Sequence, residues 1–314
     1  MLSASLWSAP RIELIDQTQS GIQRISKYKV RHSESLVDTP ADHCLADSRS
    51  WEHGSHATLG LQWHPVDDTF AFSIQGCTIE NFTKRKILSE IARLFDPLGW
   101  LTPVMTAQKS YFSMQKLDWD IPLPQADACH WSRFLEELPR LEQLRINRWL
   151  NTGAKDAKVE LHGFADASER GYAAVVYLRV INTDDVKVLL LAAKSKVAPI
   201  KPVSLPRLEL CAVALLTKLV VHTRTGLSLS TAPVTLWSDS KVTLYWIQGH
   251  ASRWKTYVTN RVSTIQEALP EGRWRHVPGR DNPADCASRG ITSGELMDHP
   301  LRPPLAAQGR LNLV

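Results

Sequence analysis

The chain has 314 residues, more than one hydrophobic core usually spans, so about two domains are expected. Its 37 Lys and Arg against 32 Asp and Glu leave a net charge of +5, which permits a polyanionic partner without demanding one. Five scattered cysteines (Cys44, Cys77, Cys129, Cys211, Cys286) without a C-x-x-C pair argue against a disulfide framework or zinc site, and no signal-peptide pattern or run near ~20 apolar residues argues for secretion or membrane spanning; a soluble intracellular protein, cytoplasmic or nuclear, is expected.

Residues 1–57 carry weak periodicity and read as a poorly defined leader, in which His43, His53 and His56 have no converging partner ligands. Thr58 to Trp63 and Thr69 to Ile74 alternate apolar and polar residues around the turn His64 to Asp68, which predicts a hairpin. Thr83 is placed to cap a helix whose Ile87, Leu88, Ile91, Leu94 and Phe95 share one face, stopped by Asp96-Pro97-Leu98-Gly99. A second helix follows Pro103. After a connector from Leu117 to Pro124, a third is expected over Ala126 to Leu138, with Trp131, Phe134, Leu135 and Leu138 on its buried side. The polar break Asn151 to Asp156 predicts a boundary, so 58–150 forms a smaller, mainly helical α+β domain.

From Lys158 the pattern changes. Val159 to Asp166, Gly171 to Val180 and Lys187 to Lys194 read as three strands joined by short turns, hence an antiparallel meander. Pro206 opens a long helix with Leu208, Cys211, Ala212, Leu215, Leu219 and Val220 as its buried stripe. Val234 to Trp237 is a short strand followed by a helix through Ile247, a helix from Arg253 to Leu269, a strand from Arg273 to Val277 and a helix from Pro283. This order predicts an α/β domain built on a mixed five-stranded sheet with flanking helices.

Four acids take comparable places in it. Asp166 and Asp239 end strands, Glu209 falls in a helix's first turn, and Asp285 lies in the last helix. Singly, each is explained by turn chemistry, capping or the helix dipole. Jointly they are harder to dismiss: if the first and fourth strands lie side by side and parallel, Asp166 and Asp239 reach one rim, and the packed helix can bring Glu209 there. Carboxylates so gathered repel unless a cation joins them. Hard oxygen ligands favour Mg²⁺ or Mn²⁺, and a pair of such ions would serve phosphodiester hydrolysis. The substrate is then a nucleic acid. Lys194, Lys196, Lys201 and Arg207 form an acid-free basic stretch, and Arg253, Lys255, Arg261, Arg273, Arg275 and Arg280 are interleaved with Trp254, Tyr257 and Trp274.

Phe-Ala-Asp-Ala-Ser (164–168), Pro-Arg-Leu-Glu-Leu (206–210), Trp-Ser-Asp-Ser-Lys (237–241) and Asn-Pro-Ala-Asp-Cys-Ala-Ser-Arg-Gly (282–290) together resemble the RNase H domain of Pao/BEL-type LTR retrotransposon polyproteins. Ile91 to Trp100 and Arg253-Trp254-Lys255 are similar to the same family. The resemblance implies an RNase H-like domain over 158–290, a reverse-transcriptase tail and connection before it, and a tail over 291–314. It also implies that Asp166, Glu209, Asp239 and Asp285 bind metal and cleave RNA in an RNA–DNA hybrid, with His276 the nearby candidate for aiding product release. Other retroelement polyprotein parts are candidate partners. The Tyr-x-Asp-Asp polymerase signature and the Asp-Ser/Thr-Gly protease motif are absent from this sequence, which therefore reads as a fragment or captured gene. The rival reading is a catalytically silent remnant that binds nucleic acid or a protein partner. A third, an integrase or transposase on the same fold, calls for a late Glu on a helix, against Asp285.

Overall fold

The computed structural model of the protein describes residues 61–299, apart from 65–67, 75–81, 95, 116, 151, 153–156 and 184. The leader with its three histidines, the first residues of the hairpin, Phe95, most of the 151–156 break and the end of the chain after 299 lie outside the described residues.

In the first unit, β1 (Leu61–His64) pairs antiparallel with β2 (Thr69–Phe72), which pairs with the two-residue β3 (Ile146–Asn147). Buried Asp68, just before β2, is held by Arg148 just after β3 through two bonds of 2.5 and 2.9 Å. Thr83 caps α1 (Lys84–Arg93) by accepting from the Lys86 N–H at 3.3 Å, and Ile87 and Ile91 of that helix are wholly buried. Asp96 then accepts from the Trp100 and Leu101 N–H groups at 2.8 and 2.6 Å, satisfying donors at the start of α2 (Thr102–Met114). Pro103 sits in its first turn, where its missing N–H is harmless. With α3 (Gln125–Glu137) these helices close a core around Phe112, Trp131, Phe134 and Leu141.

The second unit is a five-stranded sheet. Strands β4 (Lys158–Ala167), β5 (Gly171–Ile181) and β6 (Val186–Val197) form the expected antiparallel meander, and β7 (Val234–Ser238) and β8 (Arg273–His276) add in parallel on the other side of β4. The order is β6-β5-β4-β7-β8. Alternation divides the side chains between two cores. Leu161, Ala165, Ala174, Val176 and Leu236 meet α4 (Leu205–Gly226), whereas Phe164, Val175, Tyr177 and Trp237 face the opposite side. Leu210 and Leu216 of α4 are fully buried, and each such side chain contributes about 1.5–3 kcal/mol. Helix α5 (Lys241–Gln248) is capped by Ser240, whose Oγ accepts from the Thr243 N–H at 3.3 Å.

Two helices differ from expectation. The helix expected from Arg253 is instead a 3-10 turn at Ala251–Arg253 followed by α6 (Thr256–Ala268). The Thr259 hydroxyl, 2.6 Å from the Trp254 carbonyl, and the Trp254 indole N–H, 3.1 Å from the Trp246 carbonyl, fasten the extended stretch between them. The last helix is short: α7 (Asp285–Arg289) stops at Gly290, which adopts φ +79° where a Cβ would lie 2.5 Å from the Ala107 Cα. Residues beyond it form α8 (Ser293–Asp298), whose Leu296 enters the first unit's core.

The two units are joined through β6. The Ala193 N–H donates to the Leu98 carbonyl at 2.7 Å, and the Thr106 and Ser195 hydroxyls bond at 2.5 Å. Gly99 makes this approach possible, for with φ +75° any Cβ would stand 1.7 Å from the Ala193 oxygen. Among the described residues no helix is long and apolar enough to cross a membrane.

Candidate metal centre and active site

Strand register builds the site. Ala165 lies opposite Ser238 in the parallel β4–β7 pair, so Asp166, still within β4 and paired with Ala173 of β5, and Asp239, the first residue after β7, come out side by side. Glu209 reaches them from α4. That helix begins at Leu205, one residue before Pro206, which puts Glu209 just past the first turn rather than within it. Oxygens of the three carboxylates lie within 4.8 Å of one another, the one such grouping of possible metal ligands among the described residues.

Their environment is poor in compensation. Asp166 and Glu209 are only 3% and 6% exposed. Burial first, then the nearby Asp239 and Asp285 charges, push Asp166 up to about 7, opposed by the Ser288 hydrogen bond. Glu209 is driven to about 9 by burial and by Asp166 and Asp239. Asp239 is also raised, by burial and then by Asp285, while His276 and Arg289 pull it down. Glu209 Oε2 and Asp239 Oδ1 are buried without a hydrogen-bond partner. Two orphaned oxygens in a cluster of three acids form a donor set suited to a hard divalent cation.

Asp285 stands outside the grouping of three. On α7, its Oδ1 accepts from the Arg289 Nε at 2.6 Å, though its charge is still felt by Asp166 and Asp239. His276 is exposed at the end of β8, in register with Ser238, and close enough for its charge to act on Asp239. The basic residues divide. Lys194 and Lys196 are exposed on edge strand β6, and Lys201 follows in the loop to α4. Arg207 lies 5.0 Å from the centre of the Tyr257 ring, with Arg261 at 3.7 Å from the same ring. Arg253 lies over Trp254 at 5.5 Å, Lys255 precedes α6, and Arg280 is exposed beside Asp281.

Sequence reasoning passed over two residues that meet Asp166. Ser288 is fully buried, and its hydroxyl donates to Asp166 Oδ2. Asn282, equally buried, donates to the Ala165 carbonyl at 3.0 Å and lies 3.4 Å from Asp166 Oδ1. Both belong to the Asn282–Gly290 motif. The signal available was two small polar residues flanking an acid; their partner is more than a hundred residues away in sequence.

A five-stranded mixed sheet in this order, with three acids at the end of its central pair, defines an RNase H-like domain of the α/β class. The chain belongs to the family described as the Pao retrotransposon-like RNaseH-like domain, whose signature matches residues 83–240 and so takes in α1 to α3 as well as Asp166, Glu209 and Asp239. No curated protein sequence matches it. Among solved structures it is similar to LC11-RNase H1, isolated from compost by a metagenomic approach, at 15% identity over 41% of this chain and 91% of that one, with a TM-score of 0.30. RNase H1 from the halophilic archaeon Halobacterium salinarum matches at 14% identity over 45% of this chain and 98% of that one, TM-score 0.28. The foamy viral protease-reverse transcriptase in complex with an RNA/DNA hybrid matches at 12% identity over 70% of this chain and 29% of that one, TM-score 0.39.

Proposed function

We propose that this chain is a retrotransposon-derived, Mg²⁺- or Mn²⁺-dependent ribonuclease H that hydrolyses the RNA strand of RNA–DNA hybrids. The observation that carries the reading is the convergence of Asp166, Glu209 and Asp239 with two unpartnered buried oxygens, within the region matched by the family. These three would hold the metal, with Asp285 the fourth acid at its margin. Bound divalent ions would supply charge neutralisation at the scissile phosphate and a water made acidic enough to act as nucleophile. The protein's part is to fix the carboxylates on rigid strand ends and a rigid helix, so that no reorganisation is needed when the substrate arrives. His276, at the rim beside Ser238, would aid product release.

Lys194, Lys196, Lys201, Arg207, Arg253, Lys255 and Arg280 would bear on the hybrid's phosphates without reading its sequence. Residues 58–150 correspond, on this reading, to a reverse-transcriptase tail and connection, and other parts of a retroelement polyprotein are the natural protein partners. Incubation with a labelled RNA–DNA hybrid tests the activity: Mg²⁺-dependent cleavage of the RNA strand alone, lost in Asp239→Asn, is expected. Hybrid binding without cleavage would instead identify a silent remnant.

A further inference from the structure

Asp166 sits among charges that should expel it. Asp239 and Glu209 converge on it within 4.8 Å, and like charges so close favour any rotamer that swings one carboxylate away. What opposes that swing comes from the far end of the chain. The Ser288 hydroxyl carries a single proton and has two acceptors in reach, Asp166 Oδ2 and, at 3.1 Å, the Asp285 carbonyl. Asp166 Oδ2 is the nearer of the two acceptors and takes it. Asn282 closes on the other oxygen, Oδ1, at 3.4 Å, while its own side-chain oxygen accepts from the Ala284 N–H at 3.1 Å, which fixes the amide's orientation.

Ser288 is itself held. Its carbonyl accepts from the Ser168 hydroxyl at 2.9 Å, and the helix that carries it packs on α2 of the first unit, where Gly290 lies against Ala107. The donor therefore cannot follow Asp166 if the carboxylate turns. We infer that Ser288 is a positioning residue for metal binding, which pins Asp166 in the orientation that presents its carboxylate to Glu209 and Asp239. This inference rests on the metal-centre reading above and adds to it a residue that holds no metal. Outer-shell partners of this kind typically change metal affinity by about 10- to 100-fold when removed.

The test is calorimetric titration of Mn²⁺ into the full chain without substrate, run beside thermal melting and hybrid-cleavage kinetics. Ser288→Ala should weaken Mn²⁺ binding about 10-fold and lower kcat while leaving KM for the hybrid near its wild-type value. Ser168→Ala is the control for a structural role: it removes the bond to the Ser288 carbonyl and the turn bonds that the Arg170 and Gly171 N–H groups donate, touches neither Asp166 oxygen and leaves α7 packed on α2, so it should lower the melting temperature with Mn²⁺ affinity unchanged. Mn²⁺ affinity in folded Ser288→Ala within twofold of wild type overturns the inference, as does an equal weakening in Ser168→Ala. If Ser288→Ala does not fold, Ser288→Cys, similar in size and a weaker donor, should show an intermediate loss, and wild-type affinity there overturns it. Failure of both variants to fold would make Ser288 structural and overturn it too. A wild-type chain that binds Mn²⁺ without cleaving the hybrid defeats the ribonuclease reading and leaves the Ser288 comparison readable, whereas one that binds no Mn²⁺ defeats both.

Discussion

Among the described residues, two of the places that bury carboxylates solve the problem in opposite ways. Asp68 in the first unit faces Arg148, whose guanidinium meets both its oxygens in a fork that leaves the charge matched inside the protein. At the end of the central sheet, Asp166, Glu209 and Asp239 face one another, with two oxygens unpartnered. One site is complete with protein groups alone. The other leaves carboxylate oxygens without protein partners, where a bound cation is proposed, so the first reads as architecture and the second as a candidate site.

The largest expected effect breaks the second site. Asp239→Asn should cut Mg²⁺-dependent cleavage of an RNA–DNA hybrid by more than about 10²-fold, yet raise the melting temperature in chelator, since it removes a repelled charge. Arg148→Ala should do the reverse, costing about 3–5 kcal/mol of stability in a denaturant melt because it strands a buried charge. If both substitutions moved stability in the same direction, the contrast between the sites would be wrong.

A pH series sharpens it further. Asp166, at about 7, and Glu209, at about 9, lie above the ordinary carboxylate range near 4, so the folded state binds their protons more tightly than the unfolded state. In chelator, stability should be highest near pH 4 as far as these two groups decide it, and should fall as pH rises through about 7 toward 9. Saturating Mg²⁺ should flatten that slope. Asp96, buried in the first unit and pushed up to about 6 by burial, contributes a loss of the same sign that Mg²⁺ should not relieve. Urea melts at several pH values with and without Mg²⁺ separate the two. The smallest effect belongs to Arg289→Ala: its pair with Asp285 is largely exposed, so the melt should shift by less than about 1 kcal/mol.

Much of this contrast was legible in the sequence and some of it was not. Alternation through Leu161 to Asp166 and the strand order gave the parallel pairing of β4 with β7, and with it the meeting of Asp166 and Asp239. Glu209 could be placed because the buried stripe of α4 fixed which way the helix faced. The Asp68–Arg148 pair was invisible: its partners are eighty residues apart, and nothing periodic marks either. Ser288 and Asn282 escaped for the same reason, because a buried polar contact between a strand end and a remote short helix leaves no repeat. Basic residues were read as clusters along the chain, but Arg207 of α4 and Arg261 of α6 come together only through the ring of Tyr257 on α6. Nor did the pattern show α7 ending after five residues, a stop imposed by Gly290 against α2.

The Leu98–Ala193 contact carries a consequence for anyone who cuts the chain. Strand β6 is the outer edge of the sheet, and an edge with free N–H and carbonyl groups is a template on which another chain's strand can add. Here the loop through Gly99 lies against that edge and takes its Ala193 donor. An excised 158–290 segment would present the Ala193 N–H bare, and should self-associate more readily than the longer chain, as sedimentation at matched concentration would show. The first unit is, among other things, the guard on that edge.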